Sequence, residues 1–333
     1  MVKVAVLGAG INGLACAVQL KEKYKNFQVT LISNEFSPNT TGDGAGGLWF
    51  PYMYGTTSSK LITQWCSDTL AFLNELWQTG AVNICLMPVY SLFTDKEQLS
   101  KPDWLEIAYG YKELNSKQLE YFSERYSRKY TAGLTFVTFV TPTTKLLEYF
   151  TKRFKDAHGE ILQANISSLQ DPVLKKFDVI INCTGFGAKF LVSDDKMAPV
   201  RGQVQAPWLN EVVIDDSGHY IIPNVEACVL GGTHQDSSDT KLEPKDTEFI
   251  LDGCCKRIPS LEHSKIVSQW VGLRPVREAI RVEPELVDGK LCIHNYGHGG
   301  SGFTLFWGCS NQVLKIFETY LNKSYLSNRT SKL

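Results

Sequence analysis

Apolar positions along this chain gather into short runs that end at glycine. Residues 2–7 are almost wholly apolar, as expected of a strand buried on both faces of a sheet. They feed the turn GAGING and then LACAVQLKEKY, whose apolar residues recur at helical spacing. A second apolar run covers 27–32, so the chain opens as strand, glycine turn, helix and strand. Helical periodicity recurs over 61–76, 143–154 and 245–256, and 179–181 reads as another fully buried strand leading into a loop at 182–185. From 200 to 230 the pattern changes to alternation, with turns at 215–218 and 223–224, which predicts antiparallel strands. The elements predict two domains interleaved in sequence. A Rossmann-like α/β domain takes 1–55, 141–192 and 268–323, and an α+β domain built on an antiparallel sheet takes 56–140 and 193–267. Residues 324–333 read as a flexible tail.

Composition narrows the class without naming a chemistry. The chain has 333 residues, of which 43% are hydrophobic and 21% charged, with a net charge of -1. This balance gives no electrostatic attraction for nucleic acid or for an anionic membrane. No apolar run reaches the roughly 18 residues of a membrane span, so membrane insertion is not expected. The opening MVKVAVLG lacks the regions of a signal peptide, so an intracellular chain is expected. Nine cysteines occur without Cys-x-x-Cys spacing, and free buried thiols are the expectation.

Candidate chemistry concentrates in glycine-rich segments. Gly8, Ala9, Gly10, Ile11 and Asn12 lie between strand and helix, the setting in which helix N–H groups meet a dinucleotide diphosphate. An acidic residue at the end of the second strand normally holds the ribose. Here Asn34 stands at that place and Glu35 follows one residue later. The loop SPNTTGDGAGG offers backbone N–H groups and the hydroxyls of Thr40 and Thr41 to phosphate oxygens. Near the other end, HNYGHGGSGFTLFWG concentrates glycine again, a pattern tolerated where backbone must approach a ligand closely. Two such turns suggest one extended cofactor held at both its ends. His294 and His298 stand four apart, but the segment between them is not helical in pattern. Structural hydrogen bonding is therefore expected of both, and no metal site.

Taken in order, VLGAGINGLA, SPNTTGDGAGGLWFPY, DVIINCTG, VRGQV, GLRPVR, HNYGHGGSG and the terminal SKL resemble the D-amino acid oxidase family, which includes D-aspartate oxidase. The likeness runs over nearly the whole chain. It implies an FAD-dependent enzyme that converts D-amino acids to 2-oxo acids, ammonia and hydrogen peroxide, with oxygen as its second partner. The α/β domain would bind FAD and the α+β domain the substrate. The resemblance assigns Gly8, Ala9, Gly10, Ile11 and Asn12 to the diphosphate turn, and Asn34 and Glu35 to the ribose. Thr40, Thr41, Gly46, Gly47 and Leu48 match the loop that follows FAD towards its flavin, and Ile166 and Thr184 match further contacts. Gly299, Gly300, Ser301, Gly302, Phe303 and Thr304 match the turn beside the isoalloxazine ring.

The same resemblance supplies the catalytic candidates. Arg274 corresponds to the arginine that grips the α-carboxylate, a task suited to a planar guanidinium fork. Tyr220 corresponds to the tyrosine whose hydroxyl meets that carboxylate, and Gly300 to the position whose carbonyl faces the amine. Phe50, Ile214 and Ile222 complete the substrate-binding set, while Arg277 and Arg281 are expected in ion pairs. Hydride transfer from Cα needs no general base, so catalysis would rest on orientation.

D-aspartate oxidases carry further arginines where this chain has Ile214 and His234, so an acidic side chain would lack a fixed countercharge. Neutral D-amino acids are the expected substrates. D-aspartate oxidation is the alternative, and a non-catalytic FAD-binding protein the third reading. The connection before Tyr220 is short, which predicts an open pocket. Ser331, Lys332 and Leu333 form a tripeptide read as a peroxisomal address. That implies the peroxisomal import receptor as partner and the peroxisomal matrix as destination; a homodimer is left open.

Overall fold

A computed structural model describes residues 1–200, 209–224 and 227–330. Ser331, Lys332 and Leu333, and most of the VRGQV segment, lie outside the described residues. The chain begins with β1 (Lys3–Leu7), α1 (Ile11–Lys23), β2 (Gln28–Ser33), α2 (Ser59–Thr79), β3 (Cys85–Phe93) and β4 (Tyr109–Glu113). It continues through α3 (Ser116–Arg125), β5 (Ala132–Val140), α4 (Thr143–Asp156), β6 (Glu160–Gln163), β7 (Val179–Asn182) and α5 (Ala188–Leu191). Then come β8 (Ala198–Val200), β9 (Val212–Asp215), β10 (Tyr220–Pro223), β11 (Cys228–Gly231) and α6 (Pro244–Arg257). The last elements are β12 (Arg274–Val287), β13 (Lys290–His298) and α7 (Gly302–Thr330).

The unbroken apolar runs at β1 and β7 follow from burial on both faces. In β1, Val4 and Val6 face a core shared with α1, α4 and α7, while Ala5 and Leu7 face a second core with Ile32, Phe177 and Ile180. Residues 4–7 and 179–181 are shut off from water on both faces and are all apolar; the polar residues Lys3 and Asn182 stand at the strand ends. These strands sit inside a seven-stranded sheet of order β6-β2-β1-β7-β13-β12-β8. Its first five members pair in parallel, and β12 and β8 add antiparallel at one edge. A six-stranded sheet of order β11-β10-β9-β3-β5-β4 forms the second layer.

Three features differ from the sequence expectation. The second sheet is antiparallel except between β3 and β9, which run parallel; alternation shows which face is buried but not the direction of a distant partner. Two segments expected with that sheet are placed elsewhere: β8 pairs with β12 in the seven-stranded sheet, and α2 packs along α7. Helical backbone also continues to Thr330, where a flexible tail is expected from 324. Among the described residues, no helix is long and apolar enough to cross a membrane.

Candidate active site

The cradle forms where β1, β7 and α1 converge. Gly8 leaves β1 with a φ of 97°, and a Cβ there would stand 2.5 Å from the Cys183 carbonyl oxygen. Only glycine satisfies both the backbone angle and the close approach. Gly10 is the N-cap of α1; no side chain caps it, and the first turn holds no acidic residue. Free N–H groups and the positive end of the helix dipole therefore face whatever lies ahead. α7 begins at Gly302, where a Cβ would come 3.9 Å from Asn12 Nδ2. The two glycine turns, distant in sequence, thus place two helix N-termini side by side.

Before them opens a cavity of about 1340 Å³, larger than the roughly 300–1,000 Å³ of a drug-sized site. Asn34 and Glu35 line it from the end of β2, and Gly8, Ala9, Gly10, Ile11 and Asn12 from the first turn. Thr40, Thr41, Gly46, Gly47 and Leu48 form another wall, with Thr184. Phe50, Ile214, Tyr220, Ile222 and Arg274 share the same space with Gly299, Gly300, Gly302 and Phe303. The buried Oδ1 atoms of Asn12 and Asn295, both in lining residues, have no protein partner. A long ligand rich in polar atoms, anionic near α1, fits these walls.

Three expected cofactor residues do not line the cavity. Ile166 packs into the apolar cluster around Leu7 and Ile32, as an aliphatic side chain there should. Ser301 Oγ accepts from the Tyr52 N–H at 2.6 Å and donates to the Tyr52 carbonyl at 2.7 Å. Thr304 Oγ1 does the same for Phe50, at 3.2 and 3.1 Å. These hydroxyls fasten the wall from behind. Thr40 lines the cavity, but its N–H and hydroxyl both donate to Asp43, at 2.9 and 2.7 Å. Its single hydroxyl hydrogen is committed there and is not offered to a phosphate.

Arg274, at the start of β12, and Tyr220, at the start of β10, face each other. Arg274 Nη2 donates to the Tyr220 hydroxyl at 3.2 Å and Nη1 to the Thr233 carbonyl at 3.3 Å. The Tyr220 ring lies over Gly231 and Gly232, where any Cβ would collide with it. Phe50 meets Trp104 edge-on at 5.5 Å and stacks on Phe136 at 6.1 Å, giving an apolar wall. The turn between β9 and β10 is tied down by Ser217 and Arg257, whose N–H groups donate to Asp215 at 3.0 and 2.8 Å. A short connection is present, and it is braced.

Two lining residues escape sequence reasoning or change meaning. Tyr52 closes the SPNTTGDGAGGLWFPY motif with no role assigned to it there, yet its hydroxyl bonds to His234 Nε2, and a Cβ on Gly300 would stand 2.6 Å from its ring. Burial raises the Tyr52 pKa, opposed by the nearby Arg274 charge. Burial and then Arg274 lower that of His234, so this imidazole resists becoming a cation. Trp270, also unmarked in sequence, lines the cavity against Gly44 and Gly272.

Among the remaining candidates, His294, Arg277 and Arg281 serve the scaffold. His294 Nε2 meets Glu285 at 2.9 Å, and its Nδ1 faces Asn182 Nδ2 at 3.1 Å, so both ring nitrogens are engaged by protein. His298, by contrast, lines the cavity at 3% exposure with no protein partner on Nε2 among the described residues, so the hydrogen bonding expected of that nitrogen is not made, and burial pushes its pKa down to about 3. Arg277 pairs with Asp194 at 2.8 Å, and Arg281 with Glu283 and Glu285 at 2.6 and 2.9 Å. All nine cysteines are free thiols.

Comparison with known proteins agrees with this geometry. The chain matches the FAD dependent oxidoreductase (DAO) family model over residues 3–314. It is 37% identical to a D-amino acid oxidase of Dugesia ryukyuensis, across 97% of this chain and 99% of that protein. It is 32% identical to a D-aspartate oxidase of Homo sapiens, across 94% of both. A crystal structure of glycine oxidase from Geobacillus kaustophilus shares the fold, with a TM-score of 0.78 at 18% identity over 96% of this chain and 95% of that one.

Proposed function

The chain belongs to the FAD dependent oxidoreductase family, and on that footing we propose that it oxidises D-amino acids with uncharged side chains. The observation that carries this reading is the Arg274–Tyr220 pair, which opens into the same cavity as the N-termini of α1 and α7. FAD, the cofactor of the family, would lay its diphosphate against Gly10, Ile11 and Asn12 and its ribose by Asn34 and Glu35. Its flavin would lie along Gly46, Gly47 and Leu48 and the turn from Gly299. When bound, FAD supplies an acceptor for the hydride on the substrate Cα and a route for the electrons to oxygen.

The chain's own residues then have defined tasks. Arg274 takes the α-carboxylate in its guanidinium fork, and the Tyr220 hydroxyl adds a further bond. With the carboxylate fixed, the handedness of Cα decides whether its hydrogen or its side chain points along the wall at Gly300. Gly300 keeps that wall thin, because Tyr52 already fills the space a side chain would need. Phe50, Ile214 and Ile222 receive an apolar side chain and keep water away.

Uncharged substrates are favoured because Ile214 presents an apolar side chain, and Lys101, the other lysine or arginine among the described lining residues, is exposed and already paired with Glu113. His234 stays neutral under its burial and the Arg274 charge, so an acidic side chain would be desolvated without a countercharge. Oxygen uptake by the purified protein on D-alanine and on D-aspartate tests the preference, and dominant turnover of D-aspartate reverses it. A yellow protein that no D-amino acid bleaches anaerobically would remove the catalytic reading altogether. We further propose that Ser331, Lys332 and Leu333 act as a peroxisomal address, with peroxide formation as the reason for that compartment. Deleting them from a fluorescent fusion should disperse a punctate signal, and an unchanged distribution would reject the address.

A further inference from the structure

Beneath the cofactor cradle lies a pair of thiols that the proposed reaction does not use. Cys16 on α1 and Cys183, just after β7, hold their sulfurs 4.0 Å apart. Cys16 is wholly buried; Cys183 is 7% exposed and lines the cavity. The Cys183 thiol donates to the Cys16 sulfur, and Asn295 Nδ2 donates to the same sulfur at 3.3 Å. Burial raises the Cys16 pKa, but the bonds from Cys183 and Asn295 oppose it, and the thiol is held below its ordinary value. Burial and the contact with Cys16 push Cys183 well up. One sulfur is prepared as a nucleophile, and the other keeps a proton to give.

We propose that Cys16 and Cys183 form a redox-active pair that hydrogen peroxide closes to a disulfide, loosening the FAD cradle. Cys16, having released its proton, attacks one peroxide oxygen. The O–O bond breaks, and hydroxide takes the Cys183 proton to leave as water. The Cys183 sulfur then displaces hydroxide from the Cys16 sulfenic acid, forming S–S, and that hydroxide recombines with the first proton as a second water. Two thiols are oxidised, one peroxide is reduced, and no other reactant is needed. Peroxide is named as the oxidant whatever its source, so the pair can be tested even if the chain proves inactive on D-amino acids.

The coupling to FAD follows from the packing. A disulfide needs sulfurs about 2.05 Å apart, so the pair must close by about 2 Å. The Cys183 carbonyl already limits the space at Gly8, and the Cys183 Cβ would be 3.4 Å from a Cβ on Gly13. Cys183 thus meets the Gly8 turn through its backbone and α1 through its sulfur, so closure shifts α1 relative to the diphosphate turn. The oxidised chain should bind FAD about tenfold more weakly. Linkage requires that bound FAD oppose the disulfide by the same factor at equilibrium.

The experiment treats the FAD-loaded full chain with hydrogen peroxide, maps peptides by mass spectrometry and measures FAD affinity by flavin fluorescence. A peptide linking Cys16 to Cys183 is expected, with FAD affinity restored by dithiothreitol. Cys16→Ser and Cys183→Ser should both lack the link and keep FAD affinity under peroxide; Cys16→Ala serves if the serine variant fails to fold. Sulfinic acid at either residue without a link, or oxidation confined to the more exposed Cys85 and Cys255, overturns the pair. A link that leaves FAD affinity unchanged overturns the coupling.

Discussion

Arg274 donates to the Tyr220 hydroxyl and to the Thr233 carbonyl at the wall of the shared cavity, where a guanidinium fork suits a substrate carboxylate. Arg274→Ala should lower kcat/KM for D-alanine by roughly 10- to 100-fold or more, the size of a lost charged hydrogen bond. FAD should remain bound, since no lining residue of the α1 turn depends on Arg274. Flavin absorbance of the purified variant checks the second point, and a variant that keeps its D-alanine affinity would remove Arg274 from the clamp. Gly300 makes a different kind of claim. A methyl group there meets the Tyr52 ring, so Gly300→Ala should raise KM by displacing that ring, and Tyr52→Ala should relieve the defect in the double variant. Additive losses in that cycle would show that the two residues act separately. Arg274, Tyr220 and the glycines were singled out by the family resemblance, and the structure brings them to the walls of one cavity. The Tyr52–His234 bond was not legible, because its partners are 182 positions apart and nothing local to either segment points to the other.

Elements show the same division between local and distant information. Strands β1 and β7 announce themselves by apolar runs, because their burial on both faces leaves a mark on every residue. The helix α2 shows its periodicity plainly, yet nothing in that period says which layer it joins. Its place is set by Gly308 on α7: a Cβ there would run into the backbone of Trp65, and backbone cannot turn aside as a side chain can. The parallel pairing of β3 with β9 is hidden for the same reason, since the two strands are separated by most of the middle of the chain. Gly308→Ala should therefore force α2 away from α7 and cost about 1–3 kcal/mol, the usual range for overpacking. Thermal melting of the variant measures the loss, and an unchanged or raised Tm would mean that the helices have room to separate without penalty. The Gly302 contact with Asn12 lies at the start of the same helix, so the melt should be run with and without FAD to see whether the cofactor restrains the shift.

Across the whole molecule, buried histidines predict how stability responds to acid. His219, His294 and His298 are all buried, and all have pKa values below the ordinary one. Desolvation is the leading cause for each, and for His298 it pushes the value down to about 3. In the unfolded chain these rings take up a proton near pH 6.5. Below that pH the unfolded state binds more protons than the folded one, so stability must fall as pH falls. Their contribution is complete above about pH 6.5 and drains away towards the folded pKa, with His298 still losing ground down to about 3. Each histidine that remains neutral in the fold adds up to about 1.4 kcal/mol of loss per pH unit in that window. Asp194 and Asp215, whose bonds to arginine, tyrosine and serine groups hold their pKa values down despite burial, add a second loss only as pH falls below about 4. Denaturant unfolding at pH 7.5, 6.5, 5.5 and 5, with FAD in excess throughout, should show a plateau followed by a decline before any carboxylate titrates. His298→Asn removes one titrating ring while keeping a small polar group, so its decline should be shallower by close to one proton. An unchanged slope in that variant would mean that His298 is protonated in the fold, and that its nitrogen finds a partner when the cavity is filled.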